Sequence, residues 1–193
     1  KMNIAGIGVG GMGRGNVDAC AVTENIVALC DVDSKYAGGA LAAYPKARRH
    51  TDYRKMFDAE GDQIDAVIIA TPDHTHAVIA MEAVRRGKHV YCQKPLTHSV
   101  AETRALTLAA REAGVQTQMG NQGHSSDAIR RCREWVQAGV IGPIREVHAW
   151  SDRPVGGDPW SDFPIMARPK EKPPIPDSLD WDLWLGPAKK RPY

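Results

Sequence analysis

Met2-Asn-Ile-Ala-Gly-Ile-Gly-Val-Gly-Gly-Met-Gly13 runs a short apolar strand straight into a G-x-G-x-x-G turn. In that pattern Gly8 allows the tight turn, Gly10 lets the backbone approach a phosphate without a Cβ in the way, and Gly13 lets the next helix pack close to its strand. Gly11 and Met12 open that helix, whose free N–H groups face the anion. A frame shifted to Gly6, Gly8 and Gly11 fits the same letters, and in a chain with 18 glycines the spacing alone is weak. Context strengthens it. A second apolar strand, Ile26-Val-Ala-Leu-Cys30, ends at Asp31, 18 residues past Gly13, near the distance at which a carboxylate hydrogen-bonds the ribose hydroxyls of a dinucleotide. The bland alternative is a glycine-rich turn followed by a solvated Asp.

Working outward, apolar strands alternate with amphipathic helices from residue 2 to about residue 120, which predicts a parallel sheet covered on both faces. The run Ile64-Asp-Ala-Val-Ile-Ile-Ala70 reads as a central strand. Ala77, Ala80, Met81 and Val84 fall at helical spacing, and Gly87 ends that helix before the strand Lys88-His-Val-Tyr-Cys92. A helix over 99–113, stopped by Gly114, and a strand Val115–Met119 follow. With a short third strand near His50, these give a six-stranded α/β fold, a doubly wound Rossmann sheet of order 3-2-1-4-5-6.

Composition changes after residue 124, where 10 of the 13 prolines and all five tryptophans lie. One helix is readable over 126–138, with Ile129, Cys132 and Val136 on one face, then a strand Ile144–Trp150 and, beyond Asp152, proline-rich loop. The expected division is a dinucleotide-binding domain over 1–123 and, over 124–193, the incomplete start of an α+β substrate and oligomerisation domain.

A formal net charge of +2, with both signs spread along the chain, offers no basic stripe for nucleic acid, and no apolar run approaches a membrane span. Small molecules are the expected partners. Cys20, Cys30, Cys92 and Cys132 lie far apart and read as reduced thiols; the seven histidines do not fall at ligand spacing with them, which predicts no metal site.

In an open parallel sheet the ligand crosses the carboxyl ends of the strands. Those ends carry Thr71-Pro-Asp-His-Thr-His76, Gln93-Lys-Pro95 and Gly120-Asn-Gln-Gly-His124. Together with the glycine loop and Cys30-Asp-Val-Asp33, these stretches resemble the glucose-fructose oxidoreductase, inositol dehydrogenase and rhizopine-catabolism (Gfo/Idh/MocA) family. The tail Leu179-Asp-Trp-Asp-Leu-Trp-Leu-Gly-Pro187 is similar to the linker into the second domain of a bacterial branch of that family.

The resemblance implies an NAD(P)-dependent oxidoreductase acting on sugars, cyclitols or related polyols. It places Lys94 as the catalytic residue near the reacting hydroxyl, with a cis bond to Pro95. It puts Thr71, Pro72 and His76 along the dinucleotide, Gln93 at the ribose in place of the usual Glu, Gln122 on the nicotinamide side, and His124 toward substrate. His74 reads as a loop or helix-start residue, His89 as structural, and His148 as part of the second sheet's surface. A further catalytic Asp and His are implied beyond residue 193, and homo-oligomerisation through the second domain's sheet. Asp31 favours NAD over NADP, because its carboxylate repels a 2′-phosphate and Lys35 lies a turn into the next helix. Two other functions fit the same motifs: a glycoside hydrolase that retains NAD through transient oxidation and elimination, and a non-catalytic NAD-binding regulatory module. The thiols favour the cytoplasm; the resemblance leaves open export to the periplasm by a twin-arginine signal that would precede Lys1.

Overall fold

The computed structural model describes residues 1–150 and 171–193. The alternating apolar segments form six strands: β1 (Asn3–Ile7), β2 (Asn25–Cys30), β3 (Arg48–His50), β4 (Ala66–Ile69), β5 (His89–Gln93) and β6 (Thr117–Gly120). They build one sheet of order β3-β2-β1-β4-β5-β6, with every neighbouring pair parallel. The expected order is the observed one.

β4 illustrates why the sheet is buried on both faces. Val67 and Ile69 join one core, with Met56, Phe57, Ile79 and Leu106, while Ala66 and Ile68 join the other, with Val9, Val17 and Leu29. This is the period-2 alternation of a strand carried through both layers. Each fully buried aliphatic side chain contributes roughly 1.5–3 kcal/mol. The helices supplying those layers are α1 (Gly11–Ala21), α2 (Gly38–Ala43), α3 (Tyr53–Glu60), α4 (His76–Arg85) and α5 (Val100–Ala113). α5 starts where the sequence says it should: Ser99 and Glu102 form a reciprocal capping box, and Gly114 closes the helix at φ +66°.

By its contacts the chain divides into one unit comprising residues 1–121 and 175–193 and a second spanning 122–174. This departs from the expected 124–193 block, because the last stretch packs with the sheet. A one-residue-pair antiparallel bridge joins Leu179 to Asp33, Ser34 donates its N–H to the Ser178 carbonyl at 2.9 Å, and Asp180 donates to the Val32 carbonyl at 2.8 Å. A short helix, α7 (Trp181–Leu185), follows, capped by the Asp180 carboxylate on Leu183 N–H and buried at Leu185. In the structure Trp181, Leu183 and Trp184 are half-buried within the first unit itself.

The second unit holds α6 (Asp127–Gln137), close to the expected helix, with Ser126 as its cap. The expected strand Ile144–Trp150 is absent: the segment is irregular, and Val147 and Trp150 are exposed. A strand requires a partner for its backbone groups, and the described residues of this unit supply none. His148, expected on that strand, pairs instead with Glu146 at 2.9 Å on the surface. The proline-rich stretch after Asp152 lies outside the described residues as far as Lys170. Among the described residues no helix is long and apolar enough to cross a membrane, and no cluster of His, Cys, Asp and Glu could hold a metal ion.

Candidate cofactor cleft at the strand ends

The glycine loop joins β1 to α1, and at two of its positions, Gly8 and Gly13, a Cβ would run into backbone. Gly8 has φ +75°, and a Cβ there would stand 2.8 Å from the Ala70 carbonyl carbon and oxygen and from Thr71 N. A Cβ on Gly13 would stand 1.8 Å from the Gly8 carbonyl oxygen. A Cβ on Gly10 would meet the Tyr36 ring at 2.1 Å. The frame Gly8, Gly10, Gly13 is thus the one the structure uses for the turn, while Gly6 only makes room for the Val9, Val17 and Leu29 side chains. Gly10 stands at the start of α1 in extended conformation, and no side chain caps the helix. An α-helix leaves its first-turn N–H groups without intrahelical partners, and here they open beside the loop, with Met12 exposed. This uncapped, Cβ-free cradle fits a dinucleotide pyrophosphate.

Asp31, at the end of β2, has a different first task from the one its spacing suggested. Its Oδ2 accepts from Val9 N–H at 2.7 Å and Gly10 N–H at 3.2 Å, and its Oδ1 accepts from Asp33 N–H at 3.0 Å. The carboxylate holds the glycine loop in shape and still borders the cleft. Asp33 repeats this use one turn on. Burial alone would raise its carboxyl, but the N–H groups of Tyr36 and Lys35 and the Ser178 hydroxyl outweigh it and hold it below the usual range.

After β4, Thr71 and Pro72 border the same cleft, and the Thr75 hydroxyl lies 2.8 Å from both Thr71 Oγ1 and the Pro72 carbonyl. His76 departs from its expected place along the cofactor. Its ring is 1% exposed, with Nδ1 2.6 Å from the Pro95 carbonyl and Nε2 2.8 Å from the Thr71 carbonyl. It fastens the turn after β4 to the turn after β5 and has no nitrogen left for a ligand. His74 likewise serves structure, with Nε2 2.9 Å from the Trp184 carbonyl and its ring against the Trp184 indole at 5.1 Å. His89 is structural as read, accepting from Gln116 N–H at 3.0 Å.

At the end of β5 the Lys94–Pro95 bond is cis, Lys94 N–H donates to the Gly120 carbonyl at 3.1 Å, and the Lys94 side chain is exposed. Gln93 is buried, and its Nε2 has no hydrogen-bond partner. A buried amide N–H without an acceptor is costly, so Gln93 is a donor available to a ligand. Gln122 and His124 belong to the second unit, in a single 3-10 turn Gln122–Ser125.

The cleft has a volume of about 790 Å³ and runs across the ends of β1 to β4. Three contributors to its walls escaped sequence reading: Tyr36 over the loop, and Trp181 and Trp184 from the tail. Aromatic residues at spacing i, i+3 after an Asp cap were the available signal for the last two.

The model of the Gfo/Idh/MocA oxidoreductase family, described as having an NAD-binding Rossmann fold, matches residues 2–121. The chain belongs to this family. Among curated Gfo/Idh/MocA-like relatives, inositol 2-dehydrogenase 2 of Saccharopolyspora erythraea is 33% identical over 77% of the chain and 44% of its own length. D-apiose dehydrogenase of Paraburkholderia graminis is 33% identical over 70% of the chain and 36% of its length. Among solved structures, myo-inositol 2-dehydrogenase of Lactobacillus plantarum superimposes with a TM-score of 0.67 at 27% identity, covering 74% of this chain and 43% of that one. The chain spans about two-fifths of the length of the curated relatives it matches. The Gfo/Idh/MocA match ends at the boundary of the first unit, so Gln122 and His124 lie just past it.

Proposed function

We propose that this chain binds NAD and serves an oxidoreductase that moves a hydride between nicotinamide and a carbinol carbon of a sugar, cyclitol or related polyol. The observation that carries the reading is the uncapped start of α1 behind a loop in which a Cβ at Gly8 or Gly13 would run into backbone. In this reading the N–H groups of Gly11, Met12 and Gly13 hold the pyrophosphate, Asp31 keeps the loop in shape beside the adenosine ribose, and Thr71 and Pro72 flank the dinucleotide. Gln93 Nε2, buried without an acceptor, donates to bound cofactor or substrate. When bound, NAD supplies the hydride acceptor. Lys94 Nζ, at the end of β5, is the group placed to take the proton of the carbinol hydroxyl.

The charge around the cleft supports NAD over NADP. Asp31, Asp33, Asp52 and Asp182 border it, and the one bordering cation among the described residues, Arg54, is already paired with Asp52 at 2.9 Å. A 2′-phosphate would enter an acidic wall with no free cation among the lining residues.

Titration with NADH and NADPH, followed by a sugar and polyol panel read at the NADH absorbance, tests the reading. NADH is expected to bind more tightly than NADPH. Lys94→Met is expected to keep NADH affinity while lowering any polyol-dependent turnover by about 100-fold or more. Failure to bind NADH, or an equal or stronger NADPH affinity, sinks the cofactor assignment; where the unaltered protein turns over a polyol, unchanged turnover in Lys94→Met removes Lys94 from the chemistry.

A further inference from the structure

The tail that returns to the sheet is attached at two strand-end loops. On one side Ser178, Leu179 and Asp180 are joined by backbone to Val32, Asp33 and Ser34, directly after Asp31. On the other, the Trp184 carbonyl faces His74 Nε2, and a Cβ on Gly186 would lie 3.1 Å from the Thr75 side chain. Between these anchors runs a row of aromatic rings. Trp184 meets His74 at 5.1 Å, Trp181 stacks on Trp184 at 4.8 Å with planes 15° apart, and Tyr193 meets Trp181 edge-on at 5.1 Å. Trp181 Nε1–H is satisfied by the Arg191 carbonyl at 2.8 Å.

The row is more than packing. Trp181 and Trp184 are only half-buried, and both border the same cleft as Gly8, Gly10 and Asp31. Beside their ring neighbours His74 and Tyr193, the stacked indoles keep part of their apolar surface open on the cleft. The tail's first anchor adjoins Asp31, and the cleft extends to Thr51–Arg54 beyond β3, the adenosine side of a doubly wound sheet. We propose that residues 178–187 form the outer wall of the adenosine half of the cofactor site, with Trp181 and Trp184 as binding residues for adenine and its ribose. This rests on the NAD reading above, and it adds that the tail, remote in sequence from the glycine loop, is part of the binding site.

The test uses calorimetric titration of the full chain with NADH and with ADP-ribose, which lacks the nicotinamide. Replacing both indoles, Trp181→Ala with Trp184→Ala, is expected to raise the Kd of both ligands by the same factor, about tenfold, as the loss of one aromatic stacking contact implies. Trp181→Phe with Trp184→Phe keeps the apolar rings and is expected to restore most of the affinity. A second measurement does not depend on the alanine variant folding: with Trp135, Trp150 and Trp160 changed to Phe, only Trp181 and Trp184 emit. ADP-ribose should then change that emission saturably, with the calorimetric Kd. Unchanged emission at saturating ADP-ribose overturns the proposal, as does an alanine variant that loses NADH affinity while keeping that for ADP-ribose. If the unaltered chain binds neither ligand, the NAD reading itself has failed, and that outcome is distinct because it requires no substitution.

Discussion

Asp31 organises more of the site than any other single side chain, because three backbone N–H groups converge on its two oxygens. Asp31→Asn removes the charge and places an NH2 where one oxygen accepted, so at least one of Val9, Gly10 and Asp33 loses its acceptor. The expected loss is about 1–3 kcal/mol in urea unfolding, together with weaker NADH binding. A stability unchanged within about 0.5 kcal/mol would mean that the loop holds its shape without the carboxylate. Gly13→Ala is the sharper disruption, since its Cβ would overlap the Gly8 carbonyl oxygen and push α1 away from the loop; NADH binding should vanish even where the rest of the sheet survives. At this scale the sequence revealed which residues matter and less of what they touch. The interval from Gly13 to Asp31 is a property of one βαβ unit, and its spacing is readable. His76 was not readable in the same way. Its partners, Thr71 and Pro95, meet only after β4 and β5 have paired, so no local pattern distinguishes a ring facing cofactor from one fastened between two carbonyls.

Elements followed local chemistry where their hydrogen bonds are local. α5 began at its S-x-x-E box and ended at Gly114 because capping partners lie within four residues of each other. Ser99→Ala should therefore lower unfolding stability by about 1 kcal/mol, measured by chemical denaturation, while leaving NADH affinity unchanged. A loss of affinity would mean that the start of α5 acts on the cleft. Strands were legible when they sat in an alternating α/β series, whose neighbours supply the missing partners. The segment Ile144–Trp150 had the composition of a strand and remained irregular, because composition does not provide an adjacent backbone. α7 failed in the opposite direction. It reads as a linker, yet its cap, its anchors and its buried Leu185 tie it to loops formed by residues 32–34 and 74–75.

Across the whole molecule the four thiols report how completely the sheet is enclosed. Burial pushes Cys92 up to about 12 and Cys30 higher still, burial followed by the nearby Glu24 raises Cys20, and Cys132 is exposed on α6. A thiol reagent near pH ~8 should label Cys132 quickly and Cys30 and Cys92 only at the rate of global unfolding. Early labelling of Cys92 would show that β5 opens by itself. The same shifts set a pH window. The folded state holds these protons more tightly than the unfolded chain, so their stabilisation is intact below about pH 8.5 and is lost as pH climbs through the folded values. Melting temperature should fall through the alkaline range, and a flat profile there would contradict the enclosure. The attachment of Ser178 to Ser34, across 144 residues of chain, also orders events in time. At synthesis rates of roughly 5–20 residues per second, the residues of β1 to β6 leave the ribosome several seconds before those of α7. A growing chain therefore passes through a stage in which the residues of all six strands have been made and those of α7 have not, so the strand ends then stand without the tail along their outer side.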